Sequence, residues 1–483
     1  MGGRPVAVAL VTLLSVVACS DGGGGAAKAP PSDEALAAQG GDATVDVAGA
    51  GAFAQPVPGL DNEDQRAFAV GNNFFNDNWV TAPASTEGRD GLGPIFNAQS
   101  CSSCHFRDGR AQPPVDADDP ERGLLLRLSA VDAEGEPGPD RVLGGQLQDR
   151  GIHGVPVEGT VRVTTEELTG TYADGTPYTL VAPRYEVLDA DGRVRTDLLV
   201  SPRIAPPVFG VGLLEGVPAD DIIGGADPDD EDGDGISGRA NLVPDPEHPN
   251  DLDRTVLGRF GWKAAVPSVE EQVAGAFAAD IGITSRLRPD QPCTRLQPEC
   301  LAAPDGGRPE LDDQKLDRVT FYNRTLAVPA RRDVDGEDER AGQETFAELG
   351  CSSCHLAELR TGSSEIEALD DQVIRPYTDL LLHDMGDGLA DDRPQLDGPG
   401  TRPGATSRAD FDATGREWRT PPLWGIGLTD EVNDHTRFLH DGRARSLEEA
   451  ILWHAGEADA AQTAFLELDR VERARLLAFL ESL

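Results

Sequence analysis

Two pentapeptides dominate the chemistry this sequence can perform: Cys101-Ser-Ser-Cys104-His105 and Cys351-Ser-Ser-Cys354-His355. In C-x-x-C-H the two thiols can form thioethers to the vinyl groups of a haem, and the adjacent imidazole can ligate its iron. For a single copy, a redox-active dithiol or half a zinc site is the alternative. Two copies, with no further Cys or His at zinc spacing, point to two covalently bound c-type haems. Of the remaining cysteines, Cys293 and Cys300 are spaced to close a small disulfide loop in an oxidising compartment, with two free thiols as the alternative. A separate acidic run, Asp230-Glu-Asp232-Gly-Asp234-Gly, alternates carboxylates and glycines like the start of a calcium loop, whose hard oxygens suit Ca²⁺. Its twelfth position is Asn241 rather than Glu, so it is not a complete EF-hand loop, and a solvated acidic loop is the alternative.

The rest of the chain constrains where such chemistry operates. Against 85 Asp and Glu stand 42 Lys and Arg, a formal charge of −43 over 483 residues. That balance argues against a nucleic-acid partner, which needs a basic face, and against broad adhesion to an anionic bilayer. Arg4, the apolar run from Val6 to Val17 and Ala18-Cys19 read as a signal peptide over 1–18. The run S-V-V-A-C resembles a bacterial lipobox, which would leave Cys19 lipidated; an ordinary signal peptide is the alternative. Residues 19–60, rich in Gly, Ala, Pro and Asp, read as a disordered tether behind that anchor. The expectation is an exported protein on the periplasmic side, touching a membrane only through its lipid.

The two halves repeat beyond the pentapeptides. Phe96 precedes Cys101 as Phe346 precedes Cys351, and Pro206-Pro-Val-Phe-Gly-Val-Gly-Leu213 matches Pro421-Pro-Leu-Trp-Gly-Ile-Gly-Leu428. Phe260-Gly-Trp262 followed by Ser268-Val-Glu-Glu-Gln272 matches Phe438-Leu-His440 followed by Ser446-Leu-Glu-Glu-Ala450. Three ordered blocks point to duplication, with a first copy over 61–330 and a second over 331–483. From His105 to Trp262 is 157 residues and from His355 to His440 is 85, so the first copy carries 72 more. Part of that excess, around 160–200, is β-branched and aromatic with Asp-Gly turns, and predicts a small β element. Periodic stretches such as 446–453 and 469–483 predict amphipathic helices. The expected architecture is mainly α: two cytochrome c-like haem domains from an internal duplication, with a β-rich insertion in the first.

Taken together, these residues resemble the bacterial di-haem cytochrome c peroxidase superfamily, and most closely its di-haem oxidoreductase branch, whose members are also called thiol oxidoreductases. The runs that carry the resemblance are G-P-I-F-N-A-Q-S-C-S-S-C-H, G-G-Q-L-Q-D-R, S-P-R-I-A-P-P, G-R-F-G-W-K-A, Y-T-D-L-L-L-H-D-M-G and F-L-H-D-G-R-A-R-S-L-E-E-A-I-L-W-H. They extend from about residue 65 to the C-terminus.

The resemblance implies roles, residue by residue. The second haem would pass electrons with His355 and a downstream axial ligand, placed by the family at His454, 14 residues after the H-D-G motif that begins at His440. Met385, the sole methionine besides Met1, is the rival ligand. The first haem, on His105, would be the reactive one, with Gln272 and an acid in its distal pocket and Trp262 between the haems. The family's distal Glu falls at Gly282 here, and Asp280 is the nearest carboxylate. Activated relatives carry a distal His about 16 residues after the first motif; position 121 is Glu, so either His153 reaches the iron or the haem is open, the reading favoured here. These roles imply a periplasmic peroxidase-type oxidoreductase, with electrons arriving from a small cytochrome or a cupredoxin and passing from the C-terminal to the N-terminal haem onto peroxide. A two-haem electron carrier without catalysis, or an oxidase of a thiol or protein side chain, are the alternatives.

Overall fold

Each attachment motif is held by a pair of helices that cross at a glycine. Asn62–Asn76 begins at Asp61, whose carboxylate accepts from the Glu63 and Asp64 backbone amides, so the first turn is capped. It crosses Asp313–Arg324 at Gly71, where an added Cβ would lie 2.1 Å from the Arg318 carbonyl oxygen. In the second half, Glu337–Glu348 crosses Arg470–Ser482 at Gly342, where a Cβ would lie 1.9 Å from the Arg475 carbonyl oxygen. Only a residue without a side chain allows backbones this close. Asp469 closes the last helix with a full capping box to Glu472.

The computed structural model describes residues 31–86, 88–114, 123–131, 137–251, 253–391 and 410–483. Cys19 and Glu121 lie outside these ranges. Residues Asp33–Leu483 form one unit, and Met1–Ser32 a separate one. Among the described residues, no helix is long and apolar enough to cross a membrane.

The chain is not the mainly α protein expected: it is 30% helical and 19% strand, with 12 α-helices and several small sheets among the described residues. Fifty-five glycines and 36 prolines keep most helices to a few turns. The strand content is spread along the chain rather than confined to one insertion. A hairpin pairs Gly159–Thr171 with Pro177–Asp189 over its full length. Leu124–Val131 pairs with Leu199–Ile204, and in the second half Leu382–Asp384 pairs with Glu417–Arg419. These last strands are too short to show periodicity in sequence.

Part of the span expected as a tether is folded, from Asp33 onward. Asp33–Ala37 is helical, Thr44–Val45 runs parallel to Val328–Pro329, and Phe53 is buried against Phe209 with ring centroids 4.3 Å apart. A Gly- and Ala-rich composition does not prevent folding where a few apolar side chains meet an existing core.

The repeated sequence blocks have repeated local structure. Gly210 and Gly425 both adopt positive φ, at 72° and 69°, before short helical turns. Phe260 bridges Val266 as Phe438 bridges Ala444. Ser268 caps Val269–Ala276 through the Glu271 amide, and Ser446 caps Leu447–Leu452 through the Glu449 amide. Cys293 and Cys300 form a disulfide.

Candidate functional site: two haem stations and the junction between them

Cys101–Ser103 and Cys351–Ser353 are matching 3₁₀ turns, each presenting two unpaired, half-buried thiols. His105 Nδ1 is 2.7 Å from the Pro206 carbonyl oxygen, and His355 Nδ1 is 2.9 Å from that of Tyr377. A carbonyl at Nδ1 fixes the tautomer and leaves Nε2 as the ligating nitrogen. Burial pushes both imidazoles down to about 4, so both are neutral at physiological pH, as iron ligation requires. Burial also raises all four thiols, Cys104 and Cys351 to about 12. Such thiols are poor at disulfide exchange. Geometry and electrostatics therefore fit haem at both stations better than a dithiol redox pair.

The first station has a polar wall. Asp280 lies in a π-helical turn, Phe277–Ile281, that follows the helix carrying Gln272. Its backbone carbonyl accepts from the Asn97 and Ala98 amides at 2.8 and 2.9 Å, which places it against the segment that leads into Cys101. Gln146 Nε2 donates to Asp280 Oδ1 at 2.9 Å and also to Asn97 Oδ1 and the Ala279 carbonyl. Burial pushes the Asp280 carboxyl up, and the Arg127 charge and the Gln146 bond oppose it. Gly282 could not be the acid: its φ is 73°, and an added Cβ would sit 2.6 Å from the Ile95 carbonyl oxygen. Gln272 is half-buried beside Gly261, with its Oε1 without a hydrogen-bond partner. His153 is exposed on a turn.

At the second station both candidate axial residues come to one place. His454 Nδ1 is 2.7 Å from the Ala450 carbonyl oxygen, and His454 is near enough to His355 to lower its pKa. The loop carrying Met385 packs against the turn carrying His454: an added Cβ at Gly386 would lie 2.9 Å from the Ala455 Cβ. Met385 and Cys351 join the cluster containing Trp453, whose indole nitrogen has no hydrogen-bond partner. Beside Cys354, buried His383 is held between Asp379, 2.8 Å from Nε2, and Glu457, 2.7 Å from Nδ1. Burial alone would lower this imidazole, yet its two carboxylates and its contact with Cys354 push it up to about 12.

Between the stations lies a buried aromatic junction. Trp262 shares a core cluster with Trp418, and both Cys104 and Met385 pack against it. The Trp262 indole donates to the Ile204 carbonyl at 2.7 Å, and the Ile204 amide donates to the His440 carbonyl at 2.7 Å. His440 stacks on Trp418 with centroids 3.8 Å apart and planes 8° from parallel. Lys263 Nζ lies 3.8 Å from the Trp418 ring centre and 3.3 Å from Asp391, with neither charged side chain exposed. His440, pushed down to about 3 by burial, is neutral.

Sequence reasoning missed Gln146, Arg127, Trp418, Lys263 and the carboxylate clamp on His383. Three of these lie in or directly beside motifs that were recognised: Gln146 in G-G-Q-L-Q-D-R, Lys263 after Trp262 and His383 in L-H-D-M-G. Their roles depend on partners more than a hundred residues away, or on Glu457, 74 residues away.

Of the proposed calcium ligands, Asp230 and Asp232 converge with Asp227, their ligand atoms within 4.8 Å of one another. Asp234 does not belong to that group; its Oδ1 accepts from the Ile236 amide. Asn241 is buried elsewhere, donating to the carbonyls of Lys263 and Asp410.

Two C-x-x-C-H stations joined by an aromatic junction define a di-haem redox protein. The chain belongs to the family described as "Di-haem oxidoreductase, putative peroxidase", whose model matches residues 34–483. A search of curated proteins found no match.

Proposed function

We propose that this di-haem oxidoreductase is a periplasmic peroxidase, anchored through Cys19, that reduces peroxide at the first station with electrons taken in at the second. Bound haem supplies an iron coordination site and storage for single electrons at each station. The observation that carries the reading is the asymmetry of the two sites. The first has a buried carboxyl, Asp280, held by the neutral Gln146 amide; at the second the carboxylates Asp379 and Glu457 are both paired to His383, and His454 and Met385 are brought together. Peroxide reduction takes two electrons and two protons and yields two waters, so a proton-handling group is needed where the oxygen–oxygen bond breaks. Asp280, with its carboxyl raised by burial, serves as that group, and Gln272 offers a free amide oxygen for orientation. His355 and His454 would hold the iron of the second haem, and Trp262 with Trp418 would pass electrons between stations. The donor is a small cytochrome or cupredoxin whose basic face meets the acidic surface. Asp227, Asp230 and Asp232 hold a calcium ion.

Electron paramagnetic resonance of the oxidised protein tests this. One high-spin and one low-spin ferric signal are expected, with the high-spin one responding to peroxide. Two low-spin signals with no response would leave an electron carrier instead.

A further inference from the structure

A cavity of about 200 Å³ lies where the long hairpin 159–189 covers the H-D-G motif. Pro113, Pro114, Val163 and Val181 give it an apolar lining, and Arg437, Arg443 and Arg445 line it together with Asp441. Three guanidiniums around one small space are unusual in a chain of net charge −43. Two of them are already neutralised. Arg443 pairs with fully buried Asp441 at 2.9 Å, and Arg445 with Glu449 at 2.6 Å.

Arg437 is different. Its side chain is half-buried and makes no ion pair or hydrogen bond among the described residues; only its backbone amide is engaged, donating to His435 Nδ1. Burial and the nearby Arg445 work against its charge, and Glu449, already paired with Arg445, offsets them only in part. Its guanidinium donors are left to solvent and open to an acceptor that enters the cavity. Tyr185, whose hydroxyl donates to Asp441 at 3.2 Å, fixes the hairpin wall over this space.

We infer that this cavity binds a small organic anion, a carboxylate with a compact apolar body, its charge on Arg437 and its body against the proline and valine wall. The inference concerns binding and does not depend on the peroxidase reading. Because Asp441 follows His440, which stacks on Trp418, a ligand there sits beside the junction between the stations.

Calorimetric titration of the full holoprotein with benzoate tests the assignment. One saturable site is expected, with benzamide, the neutral isostere, binding about tenfold or more weakly, as loss of a charge-assisted pair implies. Arg437→Gln should weaken benzoate to a similar degree while leaving haem absorbance and circular dichroism unchanged. Val181→Asp, which places a carboxylate in the cavity itself, should also abolish binding. The inference fails if benzoate shows no saturation by about 10 mM, if benzamide or inorganic phosphate binds equally well, or if benzoate affinity survives Arg437→Gln. Failure here would leave the resonance and peroxide measurements above unaffected.

Discussion

At the scale of single residues, the first station depends on one buried carboxyl. Asp280→Asn keeps the shape and the Gln146 contact but removes the proton; peroxide turnover should fall about a hundredfold or more, with haem content unchanged by pyridine haemochrome assay. Retention of full activity would move the proton-handling role to another group. At the second station, His454→Ala should convert the low-spin haem to high-spin, whereas Met385→Leu should leave the spectrum as it is. The reverse pattern would make Met385 the ligand. The two C-x-x-C-H motifs stand out in the sequence because their spacing is local, and the structure gives both the same turn. Gln146 does not stand out, because its value lies in reaching Asp280 across 134 positions. Gly282 could be read as a departure from the related pattern, but not why: only the fold shows the Ile95 carbonyl occupying the space a side chain needs.

At the scale of elements, the loop Gly456–Ala458 ties three segments together through Glu457. This carboxylate accepts from the Ser237 hydroxyl at 2.5 Å and the Asp384 amide at 3.1 Å, besides pairing with His383. Burial alone would raise it, but the bonds from His383 and Ser237 bring it down to about 2 from 4.5. A depressed carboxylate contributes stability that is present above its unfolded value and lost as pH falls towards the folded one. Urea unfolding followed by Soret absorbance should therefore weaken between pH 4.5 and 2. Glu457→Gln should remove about 3 kcal/mol at pH 7 and flatten that acid limb. An unchanged limb would assign the acid sensitivity elsewhere. The hairpin was foreseen as a β element from its alternating, Asp-Gly-punctuated sequence. What the sequence could not show is that it leaves its own half: Tyr172 donates to Glu448 at 2.6 Å, and Arg473 donates to Asp174 at 2.8 Å. Short strands such as Leu382–Asp384, paired with a segment more than thirty residues on, hid the mixed fold class.

At the scale of the whole molecule, a charge of −43 gives a field that attracts basic proteins and repels acidic ones, so the donor proposed above would be steered by it. The second-order rate with a basic cytochrome should fall steeply as ionic strength rises from 10 to about 150 mM, where the screening length drops to roughly 8 Å. Stopped-flow reduction measures it, and a flat salt profile would argue against electrostatic docking. The hairpin's clasp has a consequence for how the protein is made. Asp174 and Arg473 are 299 positions apart, so the contact cannot form until almost the whole chain has been synthesised. Contacts this distant in sequence form slowly. Until then the hairpin tip has no partner to grip, so its docking onto the last helix is a late event in the birth of the protein.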